Sequence, residues 1–379
     1  MWVYTLLTIV VAVSIGVILI NPFWSRFSPL YSIPKVLPPI AAPVDGPFYI
    51  ENAEHGFPWH DKDQRGLWFH PLLSFILMNM PKWISTSMWF YFVSIVFAIG
   101  SIILTCQLLS VLGKFNRVSS KLLPLILIVP GGLGIATGNA EIPTLFFTLA
   151  LLLSVLRWQK WWLTFSFAAL AILTKPNALY MVPVLFVYFI SAIFDRNVKI
   201  IVQALIGILS ILVVWGMWIK YVDWNSGQSG LYWSLRMRTS QYTAGNVTGF
   251  LNHLIGAFLD SSDIREQLIY SIALIIPLAN IVIMVLISLP NERDWYAILA
   301  GNIAILAIAL YMGNPNKIIV YTTTLPGYFI THLLLIEKLV TRTVFSKPFL
   351  RFGVAAVYIA YCICMLLIYI VGTPLGWYY

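Results

Sequence analysis

The sequence predicts an all-α polytopic membrane protein with about 11 transmembrane helices (10–13) and two long outer loops. Composition and the length of the apolar runs carry this. Hydrophobic residues make up 60% of the chain, charged residues only 10%, and mean hydropathy is +0.86. A soluble domain carries about a quarter charged residues. The apolar residues also fall in runs of the length a bilayer requires, roughly 20 residues each.

The predicted spans are 2–20, 83–112, 122–137, 142–157, 161–174, 177–194, 199–219, 267–289, 295–312, 318–336 and 352–372. The first is read as a retained helix rather than a signal peptide, because Met1–Tyr4 hold no basic residue and no Ala-x-Ala site follows. The stretch 68–80 is apolar but short, which predicts an interfacial or re-entrant helix. The whole of 1–379 is expected to form one transmembrane domain, with a first outer loop at 21–82 that contains interfacial helices and a second at 220–266.

Charge orients the bundle. With a cytoplasmic amino terminus, 12 of the 23 basic residues and 4 of the 14 acidic ones lie in cytoplasmic loops, a balance of +8 against +1 outside. Lys114, Arg117, Lys121, Arg157, Lys160, Arg196 and Lys199 are among them. Short basic loops stay in the cytoplasm. The carboxyl terminus is then outside, and both long loops share the outer face. The expected place is the cell membrane, or the endoplasmic reticulum in a eukaryote, where Asn246-Val247-Thr248 would be a glycosylation sequon. The formal charge of +9 is assigned to this loop asymmetry and not to nucleic acid. Cys106, Cys362 and Cys364 all fall in apolar runs, so no disulfide framework is expected.

The polar chemistry concentrates in the first outer loop. Asp45, Glu51, Glu54, Asp61 and Asp63 lie within nineteen residues. Such a cluster can supply a general base or hold a divalent cation, although most loop carboxylates are simply solvated. Asp45 stands apart, between Pro43 and Pro47 and ahead of an amphipathic stretch. His55, His60, Asp61 and Asp63 match no standard zinc spacing, so no metal site is assigned and no cofactor is required; a divalent cation is the one alternative. The outer-face cations Lys175, Arg236, Arg238 and Lys317 suit an anionic ligand. Snorkelling at the interface is the plainer role for Lys175 and Lys317, and an interfacial basic surface for the arginines.

The run Asp45-Gly-Pro-Phe-Tyr49-Ile-Glu-Asn-Ala53-Glu-His-Gly56 resembles the D-x-x-x-Y-x-x-x-A…G pattern that opens the first outer loop of GT-C type glycosyltransferases. Trp68-Phe69-His70-Pro71-Leu72-Leu73, with Pro81 beyond, is similar to the aromatic-Pro-Leu step of the polyprenyl-phosphate-mannose-dependent mannosyltransferases, which often have Tyr-Pro-Pro there. Gly138-Asn139-Ala140-Glu141 and Leu173-Thr174-Lys175-Pro176-Asn177 continue the resemblance, which covers about residues 40–190. It implies a GT-C-like bundle and a hexosyltransferase. Such an enzyme moves a sugar, mannose before others, from a polyprenyl-phosphate donor to a lipid-linked or glycan acceptor on the outer or luminal face. It implies Asp45 as the general base of an inverting transfer; the loop itself also offers Glu51 and Glu54 for that role. Tyr49, Glu51, His70, Lys175, Arg236, Arg238 and Lys317 are the residues expected to bind substrate.

Two other classes fit the hydropathy. An O-antigen polymerase or ligase would use Arg236, Arg238 and His253, but does not call for an acidic first loop. A transporter or lipid flippase would need ionisable groups near the bilayer midplane, and the spans are almost free of charge away from their ends.

Overall fold

The computed structural model describes residues 46–60, 64–81, 83–112 and 141–234, together with 296–304 apart from 298 and 302. All secondary structure among the described residues is helical. Among the described residues the longer α-helices follow in this order: α1 Gly46–His55, α2 Pro71–Met78, α3 Thr86–Val111, α4 Glu141–Leu153, α5 Trp161–Thr174, α6 Met181–Phe194 and α7 Val198–Ser226. Short 3-10 turns at Arg65–Trp68 and Pro176–Tyr180 precede α2 and α6.

Helix ends follow local chemistry. α1 stops at Gly56, whose φ of +83° only glycine adopts freely, and the Gly56 amide bonds back to the Asn52 carbonyl at 3.1 Å. α2 opens on Pro71, where a missing amide costs nothing. α4 widens into a π turn over Ser154–Trp158, closed by a 2.8 Å bond from the Gln159 amide to the Ser154 carbonyl. The side chain of Asn197 accepts from the Ile200 amide to start α7, and Gly227 at φ +66° ends it.

Among the described residues, three segments are long and apolar enough to cross a membrane: Phe92–Val111, Pro176–Phe194 and Val198–Ser226. The chain is an integral membrane protein. α7 turns Leu205, Leu209, Val213 and Met217 outward, while Ala204, Gly207, Ser210 and Ile211 are buried. That division is lipid-facing on one side and helix-facing on the other, with small residues where backbones approach. α5 and α6 pack on this inner face, α4 packs between α3 and α5, and α2 rests on α5.

The expected spans 83–112, 142–157, 161–174 and 177–194 each coincide with a described helix. The short helix expected within 68–80 is α2. α7 differs: it runs on to Ser226, past the expected end at 219 and into the stretch read as the second outer loop. Lys220 and Asp223 lower the hydropathy there, but neither breaks a helix; Gly227 does. At 29 residues α7 rises roughly 43 Å, well beyond the ~30 Å hydrocarbon core. The expected spans 2–20, 122–137, 267–289, 318–336 and 352–372 lie outside the described residues, and 295–312 is described only within 296–304.

Candidate functional site

The site begins with a proline. In a continuous helix the amide of residue 176 would bond to the carbonyl of Ile172. Pro176 has no amide hydrogen, and it biases the residue before it towards extended backbone. Lys175 accordingly sits at φ −157°, ψ 140°, and α5 ends there. The carbonyls of the last turn then need other donors, because a buried unpaired carbonyl is costly.

Those donors come from far along the chain. The Lys175 amide bonds to the Ala171 carbonyl at 3.3 Å. The Nδ1 of His70 bonds to the Ile172 carbonyl, which is the acceptor that Pro176 leaves vacant. The Tyr49 hydroxyl donates to the Thr174 carbonyl at 3.3 Å. The Ala178 amide has meanwhile turned to the Lys175 carbonyl at 3.1 Å, in 3-10 fashion. Tyr49 and His70 are both fully buried. A carbonyl can only accept, so Nδ1 of His70 carries the hydrogen, and Nε2 bonds with the Tyr232 hydroxyl at 3.0 Å.

Each of these side chains is set by its own element. Tyr49 lies on the inward face of α1, in a cluster with Ile50, Leu73, Leu77, Phe90 and Val93. The Ser74 hydroxyl donates to the Tyr49 carbonyl at 3.3 Å and ties α1 to α2. His70 precedes Pro71 in extended backbone, held by the turn Arg65–Trp68. That turn closes tightly: the Asn52 amide donates to the Gly66 carbonyl at 2.9 Å, and a Cβ on Gly66 would stand 2.5 Å from Asn52 Oδ1. Tyr232 is returned to His70 by the turn after α7, where Asp223 Oδ2 accepts from the Gly230 amide at 3.0 Å. Phe57, Trp59, Leu67, Trp218, Val222 and Leu231 pack around it.

The structure thus brings Tyr49, His70 and Lys175 to one end of the bundle, and adds Tyr232. Lys175 is half-buried; Glu51 and Glu54 are exposed on α1. Asn177 is buried, and its Nδ2 has no protein acceptor among the described residues. Asp45, Asp61, Asp63, Arg236, Arg238, His253 and Lys317 lie outside the described residues; Asp45 immediately precedes α1 in sequence. No group of three or more His, Cys, Asp or Glu side chains able to hold a metal occurs among the described residues. Sequence reasoning singled out His70 and Tyr49 but not what they do here. The signal was present: Pro176 stands four residues after Ile172 and removes its donor. Tyr232 carried no comparable signal, because its contact with His70 spans 162 residues.

No protein-family model matches the chain, and no curated protein matches it. Two solved structures of the oligosaccharyltransferase from the archaeon Archaeoglobus fulgidus are similar. One, titled AglB in complex with an inhibitory peptide and a dolichol-phosphate, has a TM-score of 0.51 at 14% identity, over 99% of this chain and 56% of that one. The other, the apo form, has a TM-score of 0.48 with the same identity and coverage. This chain therefore spans little more than half the length of the archaeal one. At such low identity the likeness is one of fold, and the fold is GT-C-like.

Proposed function

We propose that this chain is a membrane glycosyltransferase that moves a sugar, mannose before others, from a polyprenyl-phosphate donor to a lipid-linked or glycan acceptor on the outer face. The observation that supports it most is the docking of the first loop, through Tyr49 and His70, on the proline-broken end of α5 that bears Lys175. That arrangement sits in a GT-C-like bundle, and one solved structure of that fold was determined with a dolichol-phosphate.

In the proposed reaction Asp45 takes the proton of the acceptor hydroxyl as its oxygen attacks the anomeric carbon. The new C–O bond forms on the face opposite the departing one, so the configuration inverts. The bond to the phosphate oxygen breaks, and the polyprenyl phosphate leaves with the electron pair. It departs already anionic, so cations rather than an acid must stabilise it. Lys175 is assigned that role, with Arg236, Arg238 and Lys317. No metal or other cofactor has a step in this scheme.

The test is transfer of labelled sugar from a polyprenyl-phosphate donor in membranes, wild type against Asp45→Asn at equal expression. Transfer by the wild type with a loss of 10²-fold or more in the variant supports both class and base, since removing a general base costs roughly 10²–10⁴. Undiminished transfer in the variant keeps the class and moves the base to Glu51 or Glu54. No transfer by the wild type from any polyprenyl-phosphate sugar overturns the reading.

A further inference from the structure

We propose that His70 is a positioning residue: it replaces the amide hydrogen that Pro176 lacks and, through its second ring nitrogen, ties Tyr232 to the same helix end. The backbone of Lys175 is thereby fixed between the two outer segments. One imidazole joins three parts of the chain that are distant in sequence: the step into α2, the end of α5, and the turn after α7. The bond count of the helix end accounts for it. The Ala171 acceptor is served by Lys175, the Thr174 acceptor by Tyr49, and the Lys175 acceptor by Ala178. The acceptor on Ile172 has lost its helical donor to Pro176, and it is the one that His70 fills. No water can substitute easily, because His70 and Ile172 are both fully buried.

The two ring nitrogens have separable jobs. Nδ1–H satisfies α5, and Nε2 bonds with the Tyr232 hydroxyl. Trp218, whose ring centre lies 6.0 Å from that of His70, fills the space beside the imidazole, so the ring is held on its apolar side as well. The assignment of His70 to positioning, rather than to contact with substrate, follows from both nitrogens being engaged by protein.

The transfer part of this proposal rests on the glycosyltransferase reading; the helix-end part does not. The test uses the full chain in detergent or nanodiscs, with thermal melting and donor kinetics as separate readouts. His70→Asn keeps an N–H near the place of Nδ1, and His70→Leu removes both polar atoms. Pro176→Ala supplies the missing amide hydrogen to Ile172. The expected result is that His70→Leu lowers the melting temperature by several degrees, His70→Asn by less than half as much, and that Pro176→Ala raises it again in the His70→Leu background. Equal damage from His70→Asn and His70→Leu, or further loss on adding Pro176→Ala, overturns the proposal.

Donor kinetics separate positioning from mere stability. His70→Leu and Lys175→Gln should each raise the KM for the polyprenyl-phosphate sugar, by about tenfold, and the pair should be less than additive because they act on one element. Additive effects would reduce His70 to a structural bond and overturn its positioning role. Should the wild type transfer no sugar, the glycosyltransferase reading fails, and the melting comparison alone still decides what His70 does at the helix end.

Discussion

Tyr49 illustrates how a single side chain can tie distant parts of a fold together. The resemblance of its loop to the GT-C pattern implied substrate binding. The structure puts it fully buried at the inward face of α1, with its hydroxyl on the Thr174 carbonyl. Removing only that hydroxyl, in Tyr49→Phe, should cost about 1–2 kcal/mol, since the ring remains and one buried acceptor loses its donor. Thermal melting in detergent checks this, and an unchanged melting temperature would mean that Thr174 has another donor. Much of the residue-scale logic was legible in the sequence. Pro176 announces an orphaned carbonyl, Pro71 a helix start, and Gly56 a helix stop. The identity of the donor was not legible, because a cap that arrives from a hundred residues away leaves no local pattern. His70, expected from the sequence among the substrate-binding residues, shows its bond to α5 only when its partners are seen.

Helices show the same division between period and partner. Apolar runs placed α3 through α6 and the start of α7, because burial in lipid or against helices demands little more than hydrophobic side chains. Their contacts depend on details that hydropathy averages away. Gly100 on α3 is one: a Cβ there would stand 2.5 Å from Cε2 of Phe146 on α4. That ring is held edge-on by Phe97 and Phe147, with ring centres 5.2 Å away in both pairs, so it has little freedom to retreat. Gly100→Ala should therefore destabilise the bundle by about 1–3 kcal/mol, the usual cost of overpacking. Adding Phe146→Leu should recover part of the loss in the same melting assay; failure to do so would mean that the two helices do not meet there. A second detail is polar. Thr164 donates to Gln203 Oε1 at 2.6 Å and meets the Ser154 hydroxyl at 3.0 Å, joining α5, α7 and the π turn in an otherwise apolar interior. Three isolated polar letters in three apolar runs gave no hint that they form one network.

At the scale of the molecule the short connections between α4, α5, α6 and α7 sort the helix ends. Tyr49, His70, Lys175 and Tyr232 gather at one end; Arg157, Lys160, Arg196 and Lys199 lie at the other, with Asp195 the one described acidic residue among them. The charge pattern along the sequence implied this separation before any contact was known, because orientation depends on which loops are basic and not on how helices pack. It makes a prediction about sidedness that is independent of catalysis. With Cys106, Cys362 and Cys364 replaced, a cysteine at exposed Gln228, just past α7, should react in intact cells with a maleimide that cannot cross the membrane. One at exposed Lys199, in the first turn of α7, should react only after permeabilisation. The two positions bracket one helix of 29 residues, so they must fall on opposite sides if it spans. The reverse labelling would invert the molecule and move the proposed site, with its donor and acceptor, to the cytoplasmic face. Labelling of both positions in intact cells would mean that α7 does not cross the bilayer, and α5 and α6, which pack along it, would lose their place in the membrane with it.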